Sequence, residues 1–170
     1  MAGPSTLPSL EGLHYRPAML LDGFNHVAVL TSDTDRLHAF YTEVFDVAVA
    51  HDDPQQQLRF SILHVGPHTE FNVFELHGNH TPPPQVPMFG RGRLDHIGLQ
   101  AASLEAFEEI RRRLIVRGAC DEFVTDFGPV LSLFFRDPDG LEAEVCVPNP
   151  NAQPGVFNPP GTPATRYSTS

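Results

Sequence analysis

The chain has 170 residues, 41% hydrophobic and 19% charged, with 21 acidic residues against 11 basic ones and a net charge of −10. That length suits one domain rather than two, and the acidic balance lacks the basic footprint that nucleic acid or an anionic membrane requires. Every basic residue is an arginine, so Schiff-base catalysis and a Walker-type phosphate loop, which both need a lysine amine, are excluded. No apolar run approaches the ~20 residues of a spanning helix. The start, Met-Ala-Gly-Pro-Ser, has no basic region followed by an apolar stretch, so a cytoplasmic location is expected. Cys120 and Cys146 are not spaced as a zinc pair, and both are expected to be reduced. Nine histidines stand out, since imidazole serves metal binding and proton transfer.

Residues 1–21 read as an irregular Pro-containing arm. Phe24–Leu30 is a short apolar, β-branched run and predicts a strand. Ser32-Asp33-Thr34-Asp35 then offers capping side chains to a helix with Leu37, Phe40, Tyr41 and Val44 on one face. Leu58–Val65 and Phe71–His77 predict strands joined at Gly66-Pro67. Residues 78–92, with three consecutive prolines, form a connector. The pattern then restarts. Leu94–Leu99 predicts a strand, Ser103 an N-cap, Phe107, Ile110 and Leu114 a helix face, and Gly118 a helix end. Leu131–Arg136 and Leu141–Val147 flank the turn Asp137-Pro138-Asp139-Gly140. Residues 149–170 read as a Pro-rich tail.

His26 and His96 are 70 positions apart, and Glu75 and Glu144 are 69 apart. This near-constant offset predicts two copies of one β-α-β-β-β unit, about 22–78 and 93–148, in a single α+β domain spanning 22–148. Because strand residues alternate faces, Val27, Val29, Phe74, Leu76, Ile97, Leu99, Ala143 and Val145 are assigned to an apolar side that receives the helices. His26, Glu75, His96 and Glu144 are assigned to the other. Two imidazoles and two carboxylates on one side suit a divalent ion such as Zn, Ni, Fe, Mn or Co and leave positions open for substrate. A single strand His or Glu is ordinarily just packed or solvated; four at related positions favour the ligand reading, because burying unpaired carboxylates is costly.

These stretches resemble the vicinal oxygen chelate superfamily, which includes glyoxalase I, extradiol dioxygenases, fosfomycin-resistance enzymes and bleomycin-binding proteins. The resemblance is carried by Phe24–Phe45, Phe71–Leu76, Leu94–Gly118 and Phe134–Val147, and most specifically by Arg136-Asp137-Pro138-Asp139-Gly140-Leu141-Glu142-Ala143-Glu144. It implies mixed sheets curled around one divalent metal, with His26, Glu75, His96 and Glu144 as ligands; the spacing after Gly140 selects Glu144 over Glu142. It further implies a glyoxalase-I-like lyase or isomerase acting on a small oxygenated metabolite or thiol adduct, with Glu144 or Glu75 as the base. The alternatives are an Fe(II) extradiol-type dioxygenase, for which Glu75 is dispensable, and a non-catalytic drug-sequestering protein of the bleomycin-resistance type. The resemblance offers either internal assembly of the two modules or their exchange across a dimer axis, and the long arms favour a homodimer. His77 and Cys146 share the ligand side by alternation, though solvation and simple packing explain them as well. Arg59 could meet an anionic substrate group, though an ordinary surface arginine is the favoured reading, and Arg111-Arg112-Arg113 follows Glu105, Glu108 and Glu109 on a helix where i,i+4 pairing on a solvated face is expected.

Overall fold

The computed structural model describes residues 23–78, 86, 90–91, 94–152 and 164–168. The arm at 1–21, most of the connector 78–92 and the tail segments 153–163 and 169–170 lie outside the described residues. Helix α1, Thr34–Phe45, starts where Asp33 accepts a hydrogen bond from the Arg36 N–H at 2.9 Å, with Asp35 adding favourable charge in the first turn. Leu37, Phe40, Tyr41 and Val44 are all buried, as their spacing requires. The helix ends at Asp46, which takes a left-handed φ of 55° and donates its N–H to the Thr42 carbonyl. Helix α2, Leu104–Val116, begins at Ser103, whose hydroxyl accepts from the Ala106 N–H at 3.1 Å. It stops at Gly118, where a φ of 63° lets the Gly118 and Ala119 N–H groups reach back to the Ile115 and Leu114 carbonyls.

The strands form two open sheets. The first contains β1 (His26–Leu30), β2 (Ala48–Pro54), β3 (Leu58–His64) and β4 (Glu70–Leu76), in the order β1-β4-β3-β2. The second contains β5 (Ile97–Gln100), β6 (Phe123–Asp126), β7 (Val130–Arg136), β8 (Glu142–Pro148) and β9 (Thr165–Ser168), in the order β5-β8-β7-β6-β9. Only β1–β4 and β5–β8 are parallel, so each unit crosses over through its helix and then meanders back, giving the same β-α-β-β-β path twice. The tail read as irregular returns at β9 to pair with β6, fixed by an Arg166–Asp121 ion pair and by Arg166 lying 4.8 Å over the Phe123 ring. Among the described residues, no helix is long and apolar enough to cross a membrane.

The two units share one core. Phe40 and Phe45 of α1 reach Phe135 of β7 at ring distances of 6.2 and 5.2 Å, and burying each such ring contributes about 2–3 kcal/mol. The Asp137–Gly140 turn of the second unit clamps the entry to α1. There Asp139 accepts from the Thr31 hydroxyl at 2.6 Å and pairs with Arg36 at 2.6 Å, while the Tyr41 hydroxyl donates to Asp137 at 3.4 Å. Burial pushes the Asp137 carboxyl up to about 6, opposed by the N–H groups of Leu141 and Asp139 that donate to it. At the other end, Arg113 pairs with Asp46 at 2.8 Å, and Arg117 pairs with Glu43.

Candidate metal centre

The faces of the two sheets follow from which residues are buried against the helices. In the second sheet Leu131, Leu133, Phe135, Ala143, Val145 and Val147 are buried, so Ser132, Phe134, Glu144 and Cys146 point the other way. The register opposes Gly98 to Glu144, and His96, two residues before Gly98 and immediately before β5, has the same parity. His96 Nε2 lies 3.5 Å from Glu144 Oε1, and Ser132 Oγ donates to Glu144 Oε2 at 2.5 Å. Gly98 makes room for the carboxylate, because a Cβ there would stand 3.3 Å from Glu144 Oε1. His96 Nδ1 is held by Asp95 Oδ2 at 2.8 Å, which leaves Nε2 as the outward lone pair. The expected pair His96 and Glu144 is therefore brought together. Cys146 is on this face as alternation predicts; burial, with Glu144 beside it, raises its thiol to about 11, so it is an inert neighbour.

In the first sheet the outcome differs. Val27, Val29, Phe71 and Val73 pack towards α1, and the register pairs Val27 with Phe71 and Val29 with Val73. Glu75 shares the parity of Phe71 and Val73, so it lies on the helix side, where its Oε2 accepts the Thr34 N–H at 2.9 Å. The expectation that Glu75 shares a face with His26 is corrected. The cause is parity: Phe71 and Val73 fill the core, at 1% and 0% exposure, rather than Phe74 and Leu76. His26 is exposed on the outer face, with Nδ1 2.8 Å from Asn25 Oδ1, the same preceding-residue device that fixes His96. Ala28 occupies the place of Gly98, and its register partner is Asn72, so the counterpart of Glu144 in the first unit is Asn72. Its Oδ1 is buried without a hydrogen-bond partner. Orphaned acceptors of this kind could not have been found from the sequence pattern, which drew attention to the carboxylate three residues on.

The remaining candidates resolve by geometry. Arg59 is on the helix side with Glu75 and is held by Asp52 and Asp35 at 2.7 and 2.8 Å, so it takes no part in the outer face. His77 follows β4 and is exposed. Arg112 and Arg113 pair with Glu109 on the α2 surface as expected, holding its carboxyl down at about 2. Arg111 does not belong to that solvated set: it is 1% exposed and donates to the Glu122 carbonyl. A cavity of about 650 Å³ opens between α1, Gly118–Asp121 and the end of β7; it borders Phe134 and Glu142 but neither His96 nor Glu144.

Among the described residues no three His, Cys, Asp or Glu side chains converge to hold a metal. The candidate ligands stand apart, His96 beside Glu144 on the second sheet and His26 on the first. Nitrogen and carboxylate donors with each imidazole oriented through Nδ1 fit a borderline divalent cation in their chemistry.

The fold is shared with solved structures at low identity. A glyoxylase/bleomycin resistance protein/dioxygenase domain from Frankia sp. EAN1pec is 23% identical with a TM-score of 0.64, covering 76% of this chain and 99% of that one. A mutant of the genomically encoded fosfomycin resistance protein FosX from Listeria monocytogenes, complexed with Mn(II) and 1S,2S-dihydroxypropylphosphonic acid, is 16% identical with a TM-score of 0.56, covering 74% and 92%. The trypanothione-dependent glyoxalase I of Leishmania major is 20% identical with a TM-score of 0.53, covering 72% and 84%. No curated protein sequence matches. A family model described as Glyoxalase/Bleomycin resistance protein/Dioxygenase superfamily matches residues 23–145, and the chain belongs to that superfamily.

Proposed function

We propose that the protein is a metal-dependent enzyme that acts on a small oxygenated molecule through one divalent ion held by His26, His96 and Glu144. The carrying observation is the pairing of His96 and Glu144, oriented by Asp95, Ser132 and the space over Gly98. His26 carries the same orienting device on the first sheet. Since the donors of one chain stand apart, the centre is completed in a homodimer, where His26 of one protomer meets His96 and Glu144 of another. When bound, the ion would polarise substrate oxygens at its open positions. Asn25 and Asp95 set the imidazole orientations, Ser132 holds the carboxylate, and Phe134 beside His96 limits water on that side.

The position of Glu75 bears on the reaction class. A glyoxalase-type lyase with four ligands uses a second carboxylate, and Glu75 is engaged at the α1 N-terminus instead. Two imidazoles and one carboxylate form the donor set associated with Fe(II) oxygenases, which favours the oxygenative reading over the lyase reading.

The test is metal titration of protein purified without chelator, followed by oxygen uptake with catechols and isomerisation of hemithioacetals. Expected is one equivalent of metal per site, lost in His26→Ala, His96→Ala and Glu144→Ala. Less than about a tenth of an equivalent, with no uptake of Fe, Mn, Zn, Ni or Co, would sink the proposal. Mixing His26→Ala with Glu144→Ala chains should restore one intact site in the heterodimer. A verified heterodimer without metal would exclude the exchanged arrangement.

A further inference from the structure

The register that joins β5 to β8 begins at Ile97, opposite Ala143, and runs only to Gln100, opposite Cys146. His96 stands one residue ahead of that first pair. The 3.5 Å approach of His96 Nε2 to Glu144 Oε1 is therefore set at the open end of a short ladder, where pairing ordinarily frays first.

Arg91 spans that end. It reaches in from the connector, and its guanidinium donates through one terminal nitrogen to the Asp95 carbonyl at 2.9 Å, through the other to the Glu142 carboxylate, and through Nε to the Val86 carbonyl. The Arg91 side chain is 4% exposed and that of Glu142 18%, so this is a sheltered, charge-assisted contact rather than a surface pair. The Asp95 carbonyl belongs to the peptide that joins Asp95 to His96. Because that unit is planar, holding its oxygen holds the backbone from which His96 leaves. Glu142 lies two residues before Glu144 on β8 and shares its face. One guanidinium thus fastens the backbone before His96 to the strand that carries Glu144.

The first unit treats the same ladder position differently. The register opposes Glu142 to Arg136 and Glu70 to His64, so Glu70 is the counterpart of Glu142. Glu70 is level with His26 and pairs with His64 at 3.3 Å, with both side chains far more open to solvent. The sheltered arginine belongs to the unit whose imidazole and carboxylate are brought together.

We propose that Arg91 is the positioning residue of the His96–Glu144 pair, setting the approach of β5 to β8 with Glu142 as its counter-ion. This rests on reading His96 and Glu144 as metal ligands. The three acceptors lie on three separate segments, and a planar fork meets them together where an ammonium would act as a point charge.

Hydrogen exchange of the metal-free full chain, and its titration with Co(II) followed by visible absorption, test the proposal. Arg91→Ala should speed exchange at the 95–98 amides about tenfold while leaving α2 and β7 unchanged, weaken Co(II) binding about tenfold and shift the Co(II) bands. Arg91→Lys, which keeps the charge without the fork, should show the same pattern to a smaller degree and stands in should Arg91→Ala fold poorly. Unchanged exchange at 95–98 overturns the inference. So does exchange that rises equally in every strand, since Arg91 would then only stabilise the fold. A parent chain that takes up no Co(II), while Arg91→Ala loosens 95–98 selectively, overturns the metal reading alone. Co(II) binding that Arg91→Ala leaves intact in affinity and bands overturns this inference alone.

Discussion

The two units follow one backbone path yet treat the same ladder position in opposite ways. In the second, Glu144 is fitted between Gly98 and Ser132 and faces His96; in the first, the counterpart is Asn72, whose oxygen has no partner, and His26 is exposed. Duplication therefore preserves parity and register more strictly than charge. The second unit holds His96 and Glu144 in fixed orientations through Asp95 and Ser132, whereas the first leaves His26 exposed and turns Glu75 to the helix side. Removing donors and removing their supports should separate these roles.

The largest effect is expected from His96→Ala or Glu144→Ala, which should weaken metal binding more than 100-fold in a competition titration, while Glu75→Gln leaves it unchanged. Equal losses in all three would restore Glu75 to the centre. Next, Asp137 at the seam should make stability fall with rising pH. Its folded pKa of about 6 exceeds the ordinary carboxyl value of 3.8, so the folded state binds the proton more tightly, and stability is lost as pH climbs from about 4 to 6. Asp137→Asn keeps an acceptor for the Leu141 and Asp139 N–H groups and should be more stable at pH 8 by about 2–3 kcal/mol at most, with the difference vanishing near pH 4 in denaturant melts. Ser132→Ala should weaken metal binding roughly tenfold through loss of the hydrogen bond to Glu144, with little change in circular dichroism. The smallest effect is Glu75→Gln on stability, about 1 kcal/mol, from a weaker acceptor for the α1 N-terminus.

Much of this was legible in the residues. The helix faces, the Asp137–Gly140 turn and the side chosen for His96 and Glu144 follow from periods of 3.6 and 2 with unambiguous apolar residues. The fourth strand was not legible, because Phe71, Val73, Phe74 and Leu76 place apolar side chains on both parities, and only packing against α1 decides which pair is inside. Strand β2, Ala-Val-Ala-His-Asp-Asp-Pro, and strand β9, in a Pro-rich tail, owe their pairing to non-local neighbours rather than to composition. Arg111 stands in a charged run that reads as solvated, yet its long stem and the Glu122 carbonyl let it be buried.

The Asp139 clamp has a consequence for handling the protein in concentrated salt. Its carboxylate is only 5% exposed and is shared among the Thr31 hydroxyl, the Ser32 N–H and Arg36. Mobile ions screen charges across bulk water over roughly 8 Å at physiological ionic strength, and they screen a buried contact far less. The Arg112–Glu109 pair on α2, with side chains 64% and 43% exposed, has no such shelter. Raising sodium chloride should fade the α2 surface pairs while the joint between the two units persists, so salt washes can strip adventitious ions from the outer faces without prising the units apart.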